Sequence, residues 1–186
     1  RYREPYRHLD RDAAGFFGMI ANLDENMAKL DAMLDAMDLQ ENTILIFMTD
    51  NGGTGGIKVY NAGMRGKKSW AYEGGHRVPC FFRWPAAGID GGRDVPQLAA
   101  HIDLLPTILN RCGVGGAEAL PGAALLTGDR AAAPDGDRPV FAYLDYWGRT
   151  GASALRGGWK LIQPLSAEFG DRNLLYRHDV GPSETH

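Results

Sequence analysis

The stretch "NTILIFMTDNGG", Asn42 to Gly53, decides how the rest of the chain is read. Its first part is a run of β-formers apolar on both faces, the pattern of a strand buried between layers. It predicts a strand over 43–49. The run then gives way at once to Asp50, Asn51 and two glycines. Open α/β sheets gather their ligand sites just past the carboxyl end of such a strand. Asp50 and Asn51 offer hard oxygen ligands, the type that suits Ca2+ or Mg2+ better than zinc. A strand-ending turn enriched in Asp, Asn and Gly for conformational reasons explains the same four letters.

Upstream, residues 12–38 predict a long amphipathic helix. Phe16, Ile20, Leu23, Met27, Leu30, Leu34 and Met37 recur at spacings of three and four, with Asp10 or Asp12 placed to cap the start. The opposite face carries Asp24, Glu25, Lys29, Asp31 and Asp35 and reads as solvated. Helix followed by buried strand is the pattern of an α/β domain. Downstream, "VPCFFRWPA" (78–86) predicts a second strand stopped by Pro85. The run 99–114 predicts a helix with Asp103 as candidate N-cap and Gly113 as its stop. Beyond an Ala, Gly, Pro and Asp-rich connection at about 117–136, four short segments predict an antiparallel meander: 139–147, 152–158, 159–165 and 173–178.

The second chemical constellation is "MRGKKSWAYEGGHRVP", residues 64–79. It gathers Arg65, Lys67, Lys68, His76 and Arg77 among glycines. Such a loop suits an oxyanion, sulfate or phosphate, and a solvated basic loop is the competing reading. It is not a phosphate-binding loop of the nucleotide type, because no Ser or Thr follows the first lysine and Asn61 stands where a glycine is needed. "GGTGG" at 52–56 fails the dinucleotide spacing as well.

The whole chain bounds these readings loosely. It has 186 residues, 44% hydrophobic and 23% charged, with a formal net charge of -3. That balance gives no argument for a nucleic-acid or membrane surface, and no apolar run approaches the roughly 20 residues of a membrane span. Cys80 and Cys112 form no metal-ligand spacing, which argues against zinc, and both are expected to be buried small hydrophobes. The chain opens on Arg1 and both ends look cut, so a piece of a longer protein is expected.

Three blocks in this order, "NTILIFMTDNGG", "MRGKKSWAYEGGHRVPCFFRWPA" and "HIDLLPTIL", resemble the second half of the sulfatase family, within the alkaline-phosphatase-like superfamily. "GGWKLIQ" resembles the family's late strand, and "NLLYRHDVGPSETH" its closing segment. The resemblance implies an α/β fold, part of an alkaline-phosphatase-like α/β/α sandwich, with a small C-terminal antiparallel β subdomain. The expected division is 1–128 for the catalytic part and 129–186 for the sheet. It implies that Asp50 and Asn51 ligate a divalent cation, Ca2+ with Mg2+ as the alternative. It further implies that Lys68 is the sulfate contact, both substrate-binding and catalytic, while Glu73, Gly74, Gly75, Arg77 and Pro79 shape the loop. His76 is expected to be non-catalytic.

The implied reaction is sulfate-ester hydrolysis through a formylglycine, hydrated to a geminal diol, one hydroxyl attacking sulfur and the other expelling sulfate. The family makes it from a Cys or Ser in Cys/Ser-x-Pro/Ala-x-Arg. Neither cysteine fits that motif, and neither does Ser69, Ser153, Ser166 or Ser183. The paired aspartates of the family's N-terminal part are missing too. The expectation is therefore a sulfatase fragment, inactive alone and exposing apolar surface, whose parent acts on a sulfated small molecule or glycan in the periplasm or outside the cell. The competing readings are a phosphodiesterase or phosphonate hydrolase of the same superfamily and a non-catalytic anion-binding protein. The aromatic residues of "YLDYWGR" (143–149) are expected to pack on the core.

Overall fold

The computed structural model describes residues 1–126, 137–146, 149–166, 172–177 and 181. The predicted first helix is α1, Arg11–Ala36. Asp10 is its cap: the carboxylate Oδ1 accepts from the N–H groups of Asp12 and Ala13, each at 3.0 Å. Those are donors that the first turn leaves without partners inside the helix. The short strand β1 follows, Leu45–Met48, and pairs antiparallel with β2, Cys80–Arg83. Between them lies the glycine-rich segment with a one-turn helix, α2, Glu73–His76. After β2 comes α3, Leu104–Arg111. The chain then builds β3 (Val140–Tyr146), β4 (Arg149–Arg156), β5 (Trp159–Pro164) and β6 (Leu174–Arg177). Their spatial order is β3-β4-β5-β6, an antiparallel meander at the places that the turn spacing indicates.

Several expectations of burial need correction. β1 is half-buried along its length rather than enclosed, because among the described residues its only strand partner is β2. On α1, Leu34 is buried, but Ile20, Leu23 and Met37 of the expected stripe are exposed, as are Met19 and Met33. The helix is covered chiefly at its first turns, where Ala13, Ala14 and Gly18 are buried. Both cysteines are exposed, Cys80 at the start of β2 and Cys112 at the C-cap of α3. Tyr143 is exposed too, since its parity on β3 points away from the core. Tyr146, Trp147 and Arg149 fall where side chains lie outside the described residues.

The core sits where the meander meets the glycine-rich segment. Ala71, Tyr72, Ile162 and Tyr176 form a buried cluster, with Trp70 and Leu174 packed against it. The alternating burial of β5 puts Lys160 and Ile162 on the inner face and Trp159, Leu161 and Gln163 on the outer one.

Asp103 ties the other end of the domain together. It is wholly buried and stands directly before α3, at the expected N-cap position, yet its carboxylate makes no cap bond to that helix. Instead Oδ2 accepts from the Ala100 N–H at 2.8 Å and from Arg138 at 2.6 Å, and Oδ1 accepts from the Ala123 N–H at 2.8 Å. Thr107 continues the join: its hydroxyl accepts from the Leu125 N–H at 2.9 Å. One carboxylate thereby fixes the approach to α3, the segment after it and the lead into β3. Replacing Asp103 with Ala leaves a guanidinium and two N–H groups uncompensated. It is expected to cost about 3–5 kcal/mol, the range for breaking a buried ion pair from one side, read as a loss of urea midpoint.

Candidate functional site

The two chemical stretches of the sequence meet through their backbones. The Gly52 N–H donates to the Gly75 carbonyl at 3.0 Å, and the Lys68 N–H donates to the Gly53 carbonyl at 3.1 Å. Within the second stretch, the Gly74 N–H donates to the Arg65 carbonyl at 2.7 Å and the Trp70 N–H to the Lys67 carbonyl at 3.0 Å. This lacing requires glycine. A Cβ on Gly52 would stand 1.8 Å from the Gly74 carbonyl oxygen, and one on Gly75 would stand 1.9 Å from that of Trp70. The glycines allow the backbones to touch, and the touching sets the strand-end residues beside the lysine turn.

At the strand end, Asp50 is exposed and Asn51 half-buried. The Asn51 side-chain nitrogen donates to the Gly52 carbonyl at 3.2 Å, so its amide oxygen is the atom that can ligate a cation. Ser69, next to Lys68, holds a positive φ of 67°, a conformation that side chains rarely adopt. Lys68 and its neighbour Lys67 have exposed side chains.

The other cations of the stretch are committed elsewhere. Arg65 lies over the Tyr72 ring, 4.1 Å from its centroid, and donates to the Tyr176 hydroxyl at 3.0 Å. Arg77 stands 3.4 Å from Glu73 Oε2. His76 Nε2 lies 2.8 Å from Lys160 Nζ and 3.2 Å from the Ala71 carbonyl oxygen. Of the five cations of the sequence, Arg65, His76 and Arg77 thus have fixed neighbours, and Lys67 and Lys68 extend from the turn as exposed ammonium groups.

Beneath it lies an ion pair that sequence reasoning missed. Lys160, from β5, has no exposure and donates to Glu73 Oε1 at 2.9 Å. Glu73 is itself 2% exposed and opens α2. Burial alone would raise the Glu73 carboxyl, but the Lys160 ammonium, with help from His76 and Arg77, outweighs it and holds the carboxyl below its usual value. Burial and then the Lys160 charge press His76 down to about 4, against the opposing pull of Glu73. The imidazole is neutral at pH 7, and its Nε2 accepts from Lys160. The missed signal was available in "WKLIQ": strand alternation puts Lys160 on the same face as Ile162, and a lysine on the buried parity demands a partner.

Among the described residues, no group of three or more His, Cys, Asp and Glu could hold a metal ion, and no helix is long and apolar enough to cross a membrane.

The arrangement is that of an α/β domain of the alkaline-phosphatase-like fold, with an acidic strand-end loop laced to a cationic one. Across its full length the chain superimposes on a protein solved in complex with k-i-k-neocarrahexaose, with a TM-score of 0.83 and 24% identity, covering 41% of that chain. A protein solved with its substrate D-glucosamine-2-N,6-O-disulfate matches 92% of this chain and 35% of its own, with a TM-score of 0.77 and 22% identity. These likenesses bear on the fold alone. A model of the sulfatase family matches residues 1–114, and the chain belongs to that family. It is 34% identical over 115 residues to a sulfatase of Formosa agariphila, covering 58% of this chain and 20% of the relative. It is 30% identical over 136 residues to the N-acetylgalactosamine-6-sulfatase of Canis lupus familiaris, covering 67% of this chain and 24% of that one. The chain thus spans between a fifth and a quarter of these relatives' length.

The half-buried histidine gives the domain an acid limit. Unfolded, His76 takes up its proton near pH 6.5; folded, only near pH 4. Between those values the unfolded state binds more protons, so stability falls as pH drops. The loss reaches about 3 kcal/mol at the bottom of the window. Lowered Glu73 acts in the same direction further down. Melting temperature measured from pH 7 to pH 4 is expected to fall, and His76→Asn to flatten the upper part of that slope.

Proposed function

We propose that the chain supplies the cation-binding and sulfate-binding loops of a sulfuric ester hydrolase. Asp50 and Asn51 would hold one side of a divalent cation, Ca2+ or in its place Mg2+, and Lys68 would contact the sulfate. The observation that carries the reading is the backbone lacing of the two loops, Gly52 to Gly75 and Gly53 to Lys68. It holds the backbone of the strand-end turn against that of the lysine turn, while Arg65, His76 and Arg77 are engaged with other residues. The donor set fits a hard cation: one carboxylate and one amide oxygen, with no cysteine or histidine near them in sequence. When bound, such a cation stabilises charge on the sulfate oxygens and on the nucleophile.

The chain's own part is binding and charge neutralisation. Lys68 would hold the ester by one sulfate oxygen and offset negative charge building on the leaving oxygen, and the preset loop means little reorganisation at that moment. In the family the attacking oxygen comes from a hydrated formylglycine. No Cys or Ser of this chain stands in the motif that forms one, so the nucleophile is not assigned to any residue here. The substrate class is a sulfated small molecule or a sulfated glycan; an N-acetylgalactosamine-6-sulfatase among the relatives favours the sugar. Residues 1–128 would then form the catalytic part and 129–186 the accessory sheet. The location that goes with this reading is periplasmic or extracellular.

The test is a pair of titrations of the isotope-labelled chain. Ca2+ is expected to move the amide resonances of Asp50 and Asn51, and Asp50→Ala to weaken that binding by roughly tenfold or more. Sulfate is expected to perturb Lys68, with the response lost in Lys68→Ala. Resonances unmoved by either ion at millimolar concentration would sink the reading. So would sulfate-ester turnover by the chain that survives Lys68→Ala, since the chemistry would then lie elsewhere.

A further inference from the structure

We infer that Lys160 is a positioning residue for the Lys68 turn: from the C-terminal sheet it fixes, through Glu73, where that turn lies. Its functional meaning rests on the reading of Lys68 as the sulfate contact. The path is short and continuous. Lys160 Nζ donates to Glu73 Oε1 at 2.9 Å and to His76 Nε2 at 2.8 Å, gripping both ends of α2. Inside α2, the Gly74 N–H reaches back to the Arg65 carbonyl at 2.7 Å, and the Gly75 carbonyl accepts the Gly52 N–H at 3.0 Å. The Lys68 N–H in turn donates to Gly53 at 3.1 Å. A shift of α2 therefore moves the strand-end loop and the lysine turn together, because the Cβ-less contacts at Gly52 and Gly75 leave no slack.

A buried ion pair is a poor choice for stability alone. Burying both charges costs about as much as their attraction returns, and apolar residues of similar volume often do as well or better. What the pair adds is a directional demand: an ammonium inside the protein needs acceptors at fixed places, and the carboxylate and the imidazole are two of them. The apolar cluster of Tyr72, Ile162 and Tyr176 can hold the sheet against the loop. It tolerates small slips that the hydrogen bonds of Lys160 do not.

Amide hydrogen exchange separates positioning from simple support. Gly52 and Lys68 are followed in the 186-residue chain, in Lys160→Met, and in the double variant Lys160→Met with Glu73→Leu. The double removes both charges and is expected to regain the wild-type melting temperature. Its amides at Gly52 and Lys68 are nonetheless expected to exchange roughly tenfold faster or more, with sulfate affinity at Lys68 lowered to match. Wild-type exchange at both amides in the double would overturn the inference. A double that fails to regain stability also overturns it, because the pair would then hold the fold and not the turn. If the wild type shows no sulfate response at Lys68, the reading of that residue fails, and the exchange rates still decide whether Lys160 positions the turn.

Discussion

The ion pair between Lys160 and Glu73 is the constraint on which the arrangement depends. It joins two parts of the chain 87 residues apart. On one side lies a sheet whose inner face carries Ile162, Tyr176 and Ser153; on the other, a one-turn helix inside a glycine-rich segment. Neither element has much hold on its place alone. A single helical turn has almost no intrinsic stability. The ammonium brought in on β5 supplies what the turn lacks, a partner at each end, and the Tyr72, Ile162 and Tyr176 cluster shields the pair from water.

From that fixed point the backbone carries order outward. The glycines at 52, 74 and 75 permit main chains to approach at distances that any side chain would forbid. Hydrogen bonds between peptide groups then do most of the positioning, and of the side chains at Asp50, Asn51 and Lys68 only the Asn51 amide nitrogen is drawn in, on the Gly52 carbonyl. The cations show the same division of labour. Arg65 is stacked on Tyr72, Arg77 pairs with Glu73, and His76 is neutral, while the lysines remain at the surface. A guanidinium suits the first role because its planar face stacks on aromatic rings; a lysine suits the second as a mobile point charge.

Much of this was legible in the sequence wherever local chemistry decides. The Asp10 cap, β1 with its turn and the β3-β4-β5-β6 meander all follow from periodicity and turn residues. What local patterns could not supply was the identity of the partner. The stripe on α1 shows that a face is apolar, not what covers it, and Ile20, Leu23 and Met37 lie exposed. Cys80 and Cys112 are small hydrophobes by type, yet each stands at an element's end, where nothing in the described residues encloses it. Asp103 reads as a helix cap by its place in the chain, but its carboxylate bonds to Ala123 and Arg138, contacts that sequence spacing does not announce. The two candidate loops could be named separately. That they touch is a tertiary fact, visible only in the bonds from Gly52 and Lys68.

The electrostatics of the segment also account for why its cations sort as they do. Placing five positive groups within a short loop is unfavourable unless some are neutralised, and each of the three ways available is used. Burial beside an ammonium removes the charge of His76, a carboxylate offsets Arg77, and an aromatic face accepts Arg65. Lys67 and Lys68 stand exposed, where water screens the repulsion between them and where an anion would relieve it. A bound oxyanion would then gain from charge already concentrated, on a turn already bent, with Ser69 held at a positive φ beside it. A loop in which all five cations lacked fixed neighbours would attract anions diffusely. Engaging three of them is what would give the remaining charge a place.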